Sequence, residues 1–188
     1  MSQRVLAVGP YRPLGATPVD ARALHLGWFA AVALLAFAIP YVFSSLLSLQ
    51  HDLYYLVYFG LVGGLLSAYL ASTGADVWGA LRRNWLPSLV LGFISGAFVV
   101  SNVLSRPATP GPQGLYLAFE VLWRGLAYGV VDALLLTAFP GLVASGLLGN
   151  NLNGAARRVG FAALALTLSL IITGTYHLGG MRMGGSHA

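Results

Sequence analysis

The sequence predicts an all-α, multi-pass transmembrane helical bundle with about five spans. Of its 188 residues, 57% are hydrophobic and only 8% are charged, and the mean hydropathy is +0.78. About a quarter of the residues of a soluble domain are charged. Several apolar runs also reach the roughly 20 residues that an α-helix needs to cross a bilayer. Composition and run length together therefore predict a chain whose main partner is the lipid bilayer.

The chain divides by composition into a polar leader at residues 1–24, a single transmembrane domain at 25–180 and an irregular tail at 181–188. The leader contains three prolines and three arginines, which predict a flexible or surface-lying segment. The first apolar run begins near Gly27 and is longer than the apolar region of a typical signal peptide. We therefore expect it to stay in the membrane as the first span.

Five apolar segments separated by polar loops are the predicted spans. They lie at residues 27–49, 53–72, 86–104, 115 onward and 159–178. Pro40 predicts a kink in the first of them. The fourth apolar segment continues to Gly149, which would make a helix of about 50 Å against a hydrocarbon core of ~30 Å. We expect this segment to break or bend at Pro140, with the remainder lying along the membrane or protruding from it.

The arginines predict the orientation of the chain in the plasma membrane. With a cytoplasmic N-terminus, the leader and the loops at 73–85 and 150–158 lie inside. These segments hold seven of the ten basic residues, namely Arg4, Arg12, Arg22, Arg82, Arg83, Arg157 and Arg158. Cytoplasmic loops of membrane proteins carry such an excess. Because the arginines lie at segment ends beside anionic headgroups, the net charge of +5 does not indicate a nucleic-acid partner.

One polar stripe stands out in the fourth span. Tyr116, Glu120, Arg124, Tyr128 and Asp132 are each four residues apart, and four residues turn an α-helix by about 400°, so each lies almost above the last. Ionisable groups at membrane depth are costly and normally face protein or a water-filled cavity. Glu120 and Arg124 form an i,i+4 pair, either as a structural ion pair or as a carboxylate tuned for acid–base work or for binding.

The other ionisable residues leave alternatives open. Asp132 is a second partner of Arg124, part of a proton or solvent path, or a satisfied buried carboxylate. His177, at the end of the fifth span, is either interfacial or a proton-transfer group, because an ordinary histidine titrates near neutrality. His25 and His187 are expected to be surface or tail residues.

Two residue classes are expected to serve packing and anchoring. Tyr54, Tyr55 and Tyr58, at the start of the second span, fit an interfacial aromatic belt. Three spans each carry two glycines four residues apart, a spacing that lets helices approach closely within the bundle. The pairs are Gly60 with Gly64, Gly92 with Gly96, and Gly125 with Gly129.

Common catalytic signatures are missing from the sequence. It contains no HExxH, no GxSxG, no Walker A motif and no credible dinucleotide-binding GxGxxG. The absence of cysteine excludes disulfides, thiolate metal sites and a cysteine nucleophile. The spacing of the remaining residues assigns no metal ligand and no cofactor.

Two segments resemble motifs of the CPBP family of intramembrane proteases, which comprises CAAX proteases and bacteriocin-processing enzymes. The segment Phe119-Glu-Val-Leu-Trp-Arg-Gly-Leu resembles the first motif, Glu-Glu-x-x-x-Arg, which is often followed by Gly. Thr173-Gly-Thr-Tyr-His-Leu resembles the second motif, Phe-x-x-x-His. The resemblance covers approximately residues 115–180.

The resemblance implies a helical bundle with a membrane-embedded active site and a membrane-associated peptide substrate. In the family, a glutamate activates water to attack a peptide bond and histidines assist, with or without a metal. Glu120 would match the second glutamate and act as general base, with Arg124 as its electrostatic orienter. His177 would match the first histidine and donate a proton or stabilise the oxyanion.

Three departures from the family pattern bear on activity. Phe119 occupies the position of the first glutamate, Thr173 replaces the phenylalanine before the histidine, and the third motif, His-x-x-x-Asn/Asp, is absent. The chain is then either a divergent member without proteolysis or incomplete at its C-terminus. The alternative is a non-enzymatic membrane protein, either a small-solute or proton path or a scaffold, with a structural Glu–Arg pair.

Overall fold

The computed structural model describes residues 18–75, 111, 113–149 and 154–180, together with scattered positions between 77 and 105. Helices dominate this part of the chain and no strand occurs in it, which confirms the all-α class. The helices are α1 (Pro18–Ile39), continued by a π-helical segment (Pro40–Leu46), α2 (His51–Thr73), α3 (Leu115–Leu148) and α4 (Ala155–Gly180).

Four of the predicted spans appear as helices that are long and apolar enough to cross a bilayer, which indicates a membrane protein. They are predicted spans one, two, four and five. Most of the third predicted span, 86–104, lies outside the described residues, as do residues 1–17 and the tail at 181–188. Helix α1 begins at Pro18, so the last residues assigned to the polar leader are helical.

The chain divides into two compact units, which are Met1–Ala75 with Ala127–Ala188, and Asp76–Leu126. We call the first of these the larger unit. Within it, α4 packs against α1 and against the C-terminal half of α3. Helix α2 packs against α1 and against the Tyr128–Ala133 segment of α3.

The core of the larger unit is built from aromatic and branched side chains of all four helices. Its fully buried members include Tyr58, Tyr69, Phe139 and Ile172. The outward faces carry large apolar side chains instead, such as Leu34 and Leu166, which are 71% and 60% exposed. A surface in water rarely exposes so many contiguous apolar groups, whereas a surface in lipid does.

A break or a bend was predicted at Pro140. Helix α3 runs continuously through this residue, so a break is wrong. The segment before it, Leu134–Ala138, is π-helical, and Pro140 lies in the first turn of the α-helical segment that follows. Ser169 of α4 donates a hydrogen bond to the Leu136 carbonyl over 2.5 Å. That carbonyl is four residues before the proline and lacks an α-helical donor.

Replacing Ser169 by alanine should therefore lower the free energy of unfolding by about 1 kcal/mol, because the Leu136 carbonyl loses an inter-helix donor. Thr167→Ala is the matched control, since the exposed Thr167 hydroxyl donates only to Ala163 of its own helix, over 2.9 Å. Titration of the protein in mild detergent with sodium dodecyl sulfate, followed by circular dichroism, gives both values. Equal losses in the two variants would contradict this role for Ser169.

The glycine pairs do not make the close approaches predicted for them. Among the described residues, a Cβ atom added at Gly60, Gly64, Gly125 or Gly129 would meet no atom within 4 Å, and Gly92 and Gly96 lie outside this part of the chain. The tight contact between α1 and α4 is at Gly179 instead. A Cβ there would collide with the Phe37 carbonyl and would lie 2.8 Å from Pro40 Cγ.

Candidate functional site

The predicted pair of Glu120 and Arg124 is present. Glu120 ends the α-helical segment Leu115–Glu120, and Arg124 lies in the π-helical segment Val121–Ala127. Arg124 Nη1 and Glu120 Oε1 are 2.8 Å apart. Their side chains are 32% and 21% exposed, so the pair is partly shielded but reachable. A charge-assisted contact of this length offsets much of the cost of holding two charges at membrane depth.

An aromatic ladder borders this ion pair. The ring of Phe119 stacks on Tyr116 and on Trp123, with centroid distances of 6.3 Å in each case. These three rings present an aromatic surface beside Glu120.

The polar stripe was predicted from regular α-helical geometry, which does not hold throughout α3. Val121–Ala127 is π-helical, the helix type in which a backbone N–H donates to the carbonyl five residues earlier. A π turn contains more residues than an α turn, so a four-residue step there is less than a full turn. Short π segments frequently occur at functional sites.

A second polar group, which the sequence did not predict, lies inside the larger unit. We call Tyr54, Tyr58, Tyr128 and Tyr176, together with Asp132, the tyrosine cluster. Tyr58 donates a hydrogen bond to Asp132 Oδ1 over 2.7 Å. The Tyr176 hydroxyl is 2.7 Å from the Tyr128 hydroxyl and 3.1 Å from the Tyr54 hydroxyl. The cluster thus joins α2, α3 and α4 through hydroxyl groups.

The aromatic-belt prediction needs correction for two of its three residues. Tyr58 is completely buried and Tyr54 is 7% exposed. Their rings stack at 6.1 Å, and the Tyr58 ring also contacts those of Tyr128 and Tyr176. Tyr55 is half-buried, and its ring lies 4.9 Å from that of Tyr128. Tyr54 and Tyr58 are four residues apart, as are Tyr128 and Asp132. This spacing places the members of each pair on the same face of their helix, and it was the sequence signal for the cluster.

Asp132 is a half-buried carboxylate that accepts a hydrogen bond from the Tyr58 hydroxyl. Its hydrogen-bond partner is Tyr58, whereas the ion-pair partner of Arg124 is Glu120. His177 directly follows Tyr176, the member of the cluster on α4. It lies in the last turn of α4, exposed, with its ring 5.8 Å from that of Tyr176.

The three residues singled out by the CPBP resemblance fall into different units. Glu120 and Arg124 belong to Asp76–Leu126, and His177 belongs to the larger unit. Their convergence into one site stays a prediction. Among the residues that the structure describes, no group of three or more His, Cys, Asp or Glu side chains could hold a metal ion.

His25 was predicted to be a surface residue, but it is half-buried and contacts Tyr69. Its Nδ1 atom is 3.0 Å from the Tyr69 hydroxyl, and its ring is half-buried. The Tyr69 ring packs edge-on against Trp28 and Phe139. His25 also approaches Gly146 so closely that a Cβ atom there would collide with the imidazole. His187 lies outside the described residues.

No family model, no curated protein and no solved structure matches this chain. The functional argument therefore rests on the two polar groups, which are the Glu120–Arg124 pair and the tyrosine cluster.

Proposed function

We propose that this chain is a plasma-membrane protein with a cytoplasmic N-terminus, and that Glu120 and Arg124 are the retained polar pair of a CPBP-like intramembrane hydrolase. The observation that carries the proposal is the 2.8 Å ion pair inside a candidate membrane span. The pair keeps 21–32% of its side-chain surface exposed, and Arg124 lies in a π segment. A hydrolytic carboxylate needs such access to water and substrate.

In this proposal the substrate is a membrane-associated peptide. Glu120 takes a proton from water, whose oxygen attacks the peptide carbonyl, and Arg124 holds the carboxylate in place. His177 stabilises the oxyanion or donates the proton that the leaving amine needs. The Phe119 ladder supplies no second carboxylate, so Glu120 alone carries the general-base role.

The test is cleavage of fluorogenic membrane peptides by the full chain in lipid vesicles. Glu120→Gln removes the charge at nearly constant volume, and we expect it to lower the cleavage rate about 100-fold or more. Asp132→Asn is the matched control, because it makes the same chemical change in the other unit and should leave cleavage intact. Undiminished cleavage by Glu120→Gln would refute the hydrolytic proposal.

The second candidate function is a non-enzymatic proton or small-solute path, favoured by the bond from Tyr58 to Asp132 and by the linked tyrosine hydroxyls. The same vesicles separate the two candidates when flux is recorded alongside cleavage. A path requires Asp132→Asn to reduce flux while Glu120→Gln does not. If neither variant changes either readout, a scaffold role is the remaining alternative.

A further inference from the structure

Asp132 lies in a membrane-spanning helix without a cationic partner at bonding distance. Its hydrogen-bond donor is the neutral hydroxyl of Tyr58, and within the described residues it forms no ion pair. A carboxylate charge at membrane depth without a paired cation is costly, and binding a proton removes that cost.

The groups that surround Asp132 come from three helices. Helix α2 contributes Tyr58, which donates to Asp132, and Tyr54, whose ring stacks on that of Tyr58. Helix α4 contributes Tyr176, which is bonded to Tyr54 and Tyr128, and the neighbouring His177. The helix of Asp132 itself contributes Tyr128. The tyrosine hydroxyls can each donate and accept a hydrogen bond. The imidazole of His177 is exposed in the last turn of α4, and its two ring nitrogens can donate and accept hydrogen bonds.

The cluster lies near one end of the larger unit. Tyr58 is seven residues after the start of α2 at His51, or about 10 Å along the helix. Tyr176 is four residues before the end of α4 at Gly180, or about 6 Å. The contact between Tyr54 and Tyr176 places these two helix ends on the same side.

Toward the other end, the described core is apolar except for the Ser169 hydroxyl, which donates to the Leu136 carbonyl. The side chains that follow the cluster are Val62, Leu135, Phe139, Leu168 and Ile172, all of them buried. Polar contacts resume at Tyr69 with His25, eleven residues beyond Tyr58, or about 16 Å along α2. This apolar layer separates Asp132 from water on that side.

We infer that Asp132 is a proton-binding site that exchanges its proton, by way of His177, only with the side at which α2 begins and α4 ends. The bound proton forms the hydroxyl of the carboxylic acid, and Tyr58 donates to its other oxygen. The inference is independent of hydrolysis at Glu120. It would supply the proton-binding group of the second candidate function, but it does not require net flux.

Infrared difference spectroscopy of the full chain in lipid nanodiscs tests the site directly. A protonated-carboxyl band at pH 7 should be lost in Asp132→Asn and retained in Glu120→Gln. Tyr58→Phe should keep the band but shift it to higher frequency, because the carbonyl oxygen loses its hydrogen bond. If Asp132→Asn folds poorly, the frequency shift in Tyr58→Phe still tests whether the protonated carboxyl group is that of Asp132. If the carboxyl band of both Asp132→Asn and Tyr58→Phe is identical to that of the wild type, the assignment to Asp132 is overturned.

The sidedness is tested in vesicles that contain the protein in one orientation. A pH jump on the side of His177 should change the Asp132 band rapidly, and a jump on the opposite side should change it at least 10-fold more slowly. His177→Gln should slow the response from the first side. Equal responses from both sides would overturn the one-sided exchange. Neither result depends on whether Glu120→Gln alters peptide cleavage, so failure of this inference and failure of the hydrolytic proposal are distinguishable.

Discussion

Replacing Phe139 by alanine should lower the free energy of unfolding by about 3 kcal/mol. Phe139 is completely buried, and its ring packs edge-on against Tyr69 with a centroid distance of 5.0 Å. Truncation leaves a cavity among the helices of the larger unit, and their packing limits collapse around it. In lipid the transfer term is weaker than in water, but the lost packing contacts remain.

Phe37→Ala is the matched control for this experiment. Phe37 lies in the same unit, but its side chain is 38% exposed and its ring stacks on Tyr41 at the helix surface. We expect a loss below about 1 kcal/mol there, because lipid fills the space that the ring vacates. Sodium dodecyl sulfate titration followed by circular dichroism measures both variants. If the two losses are alike, the core is not centred on Phe139.

Hydropathy and helical periodicity were sufficient to predict the helices and one polar contact. Each described helix coincides with an apolar run of the sequence, because run length against bilayer thickness decides which segments span. The ion pair of Glu120 and Arg124 needed only i,i+4 spacing on a single helix. Both are local properties, so no knowledge of the neighbouring helices was required.

Contacts between helices were not predictable in this way. Tyr54 and Tyr58 near the end of a span fit either an interfacial belt or a buried cluster, and only their contacts with Asp132 and Tyr176 distinguish the two. His25 likewise contacts Tyr69, which is 44 residues away. The local sequence around a polar residue near the end of an apolar segment does not show whether that residue faces the membrane interface or a partner on another helix.

The proline and glycine positions also show that local sequence patterns do not predict contacts between helices. Pro140 predicted a break or a bend because an α-helical carbonyl loses its donor, but Ser169 of α4 supplies one and a π segment precedes the proline. The spacing of Gly60 and Gly64 predicted a close helix contact, yet their face is open in the described structure. Close contacts occur instead at Gly179 and Gly146, whose neighbours lie on α1 or on the segment that continues it.

Gly179→Ala should consequently lower the free energy of unfolding by about 2–3 kcal/mol. The added methyl group would collide with the Phe37 carbonyl and lie 2.8 Å from Pro40 Cγ, so α1 and α4 must move apart. The Phe37 carbonyl is backbone and the Pro40 ring is rigid, so neither gives way by a simple rotamer change. Separation would also lengthen the 3.3 Å hydrogen bond from Ser45 Oγ to the Gly179 carbonyl.

Gly174→Ala separates this packing effect from the effect of alanine on helix propensity. Gly174 lies in the same helix, and a Cβ atom there would meet nothing within 4 Å. Because alanine favours the helix over glycine by up to about 1 kcal/mol, this variant should be neutral or slightly more stable than the wild type. Detergent titration of both variants compares the positions directly. A Gly179→Ala protein as stable as Gly174→Ala would show that α1 and α4 do not meet at this glycine, since only a collision with α1 distinguishes the two substitutions.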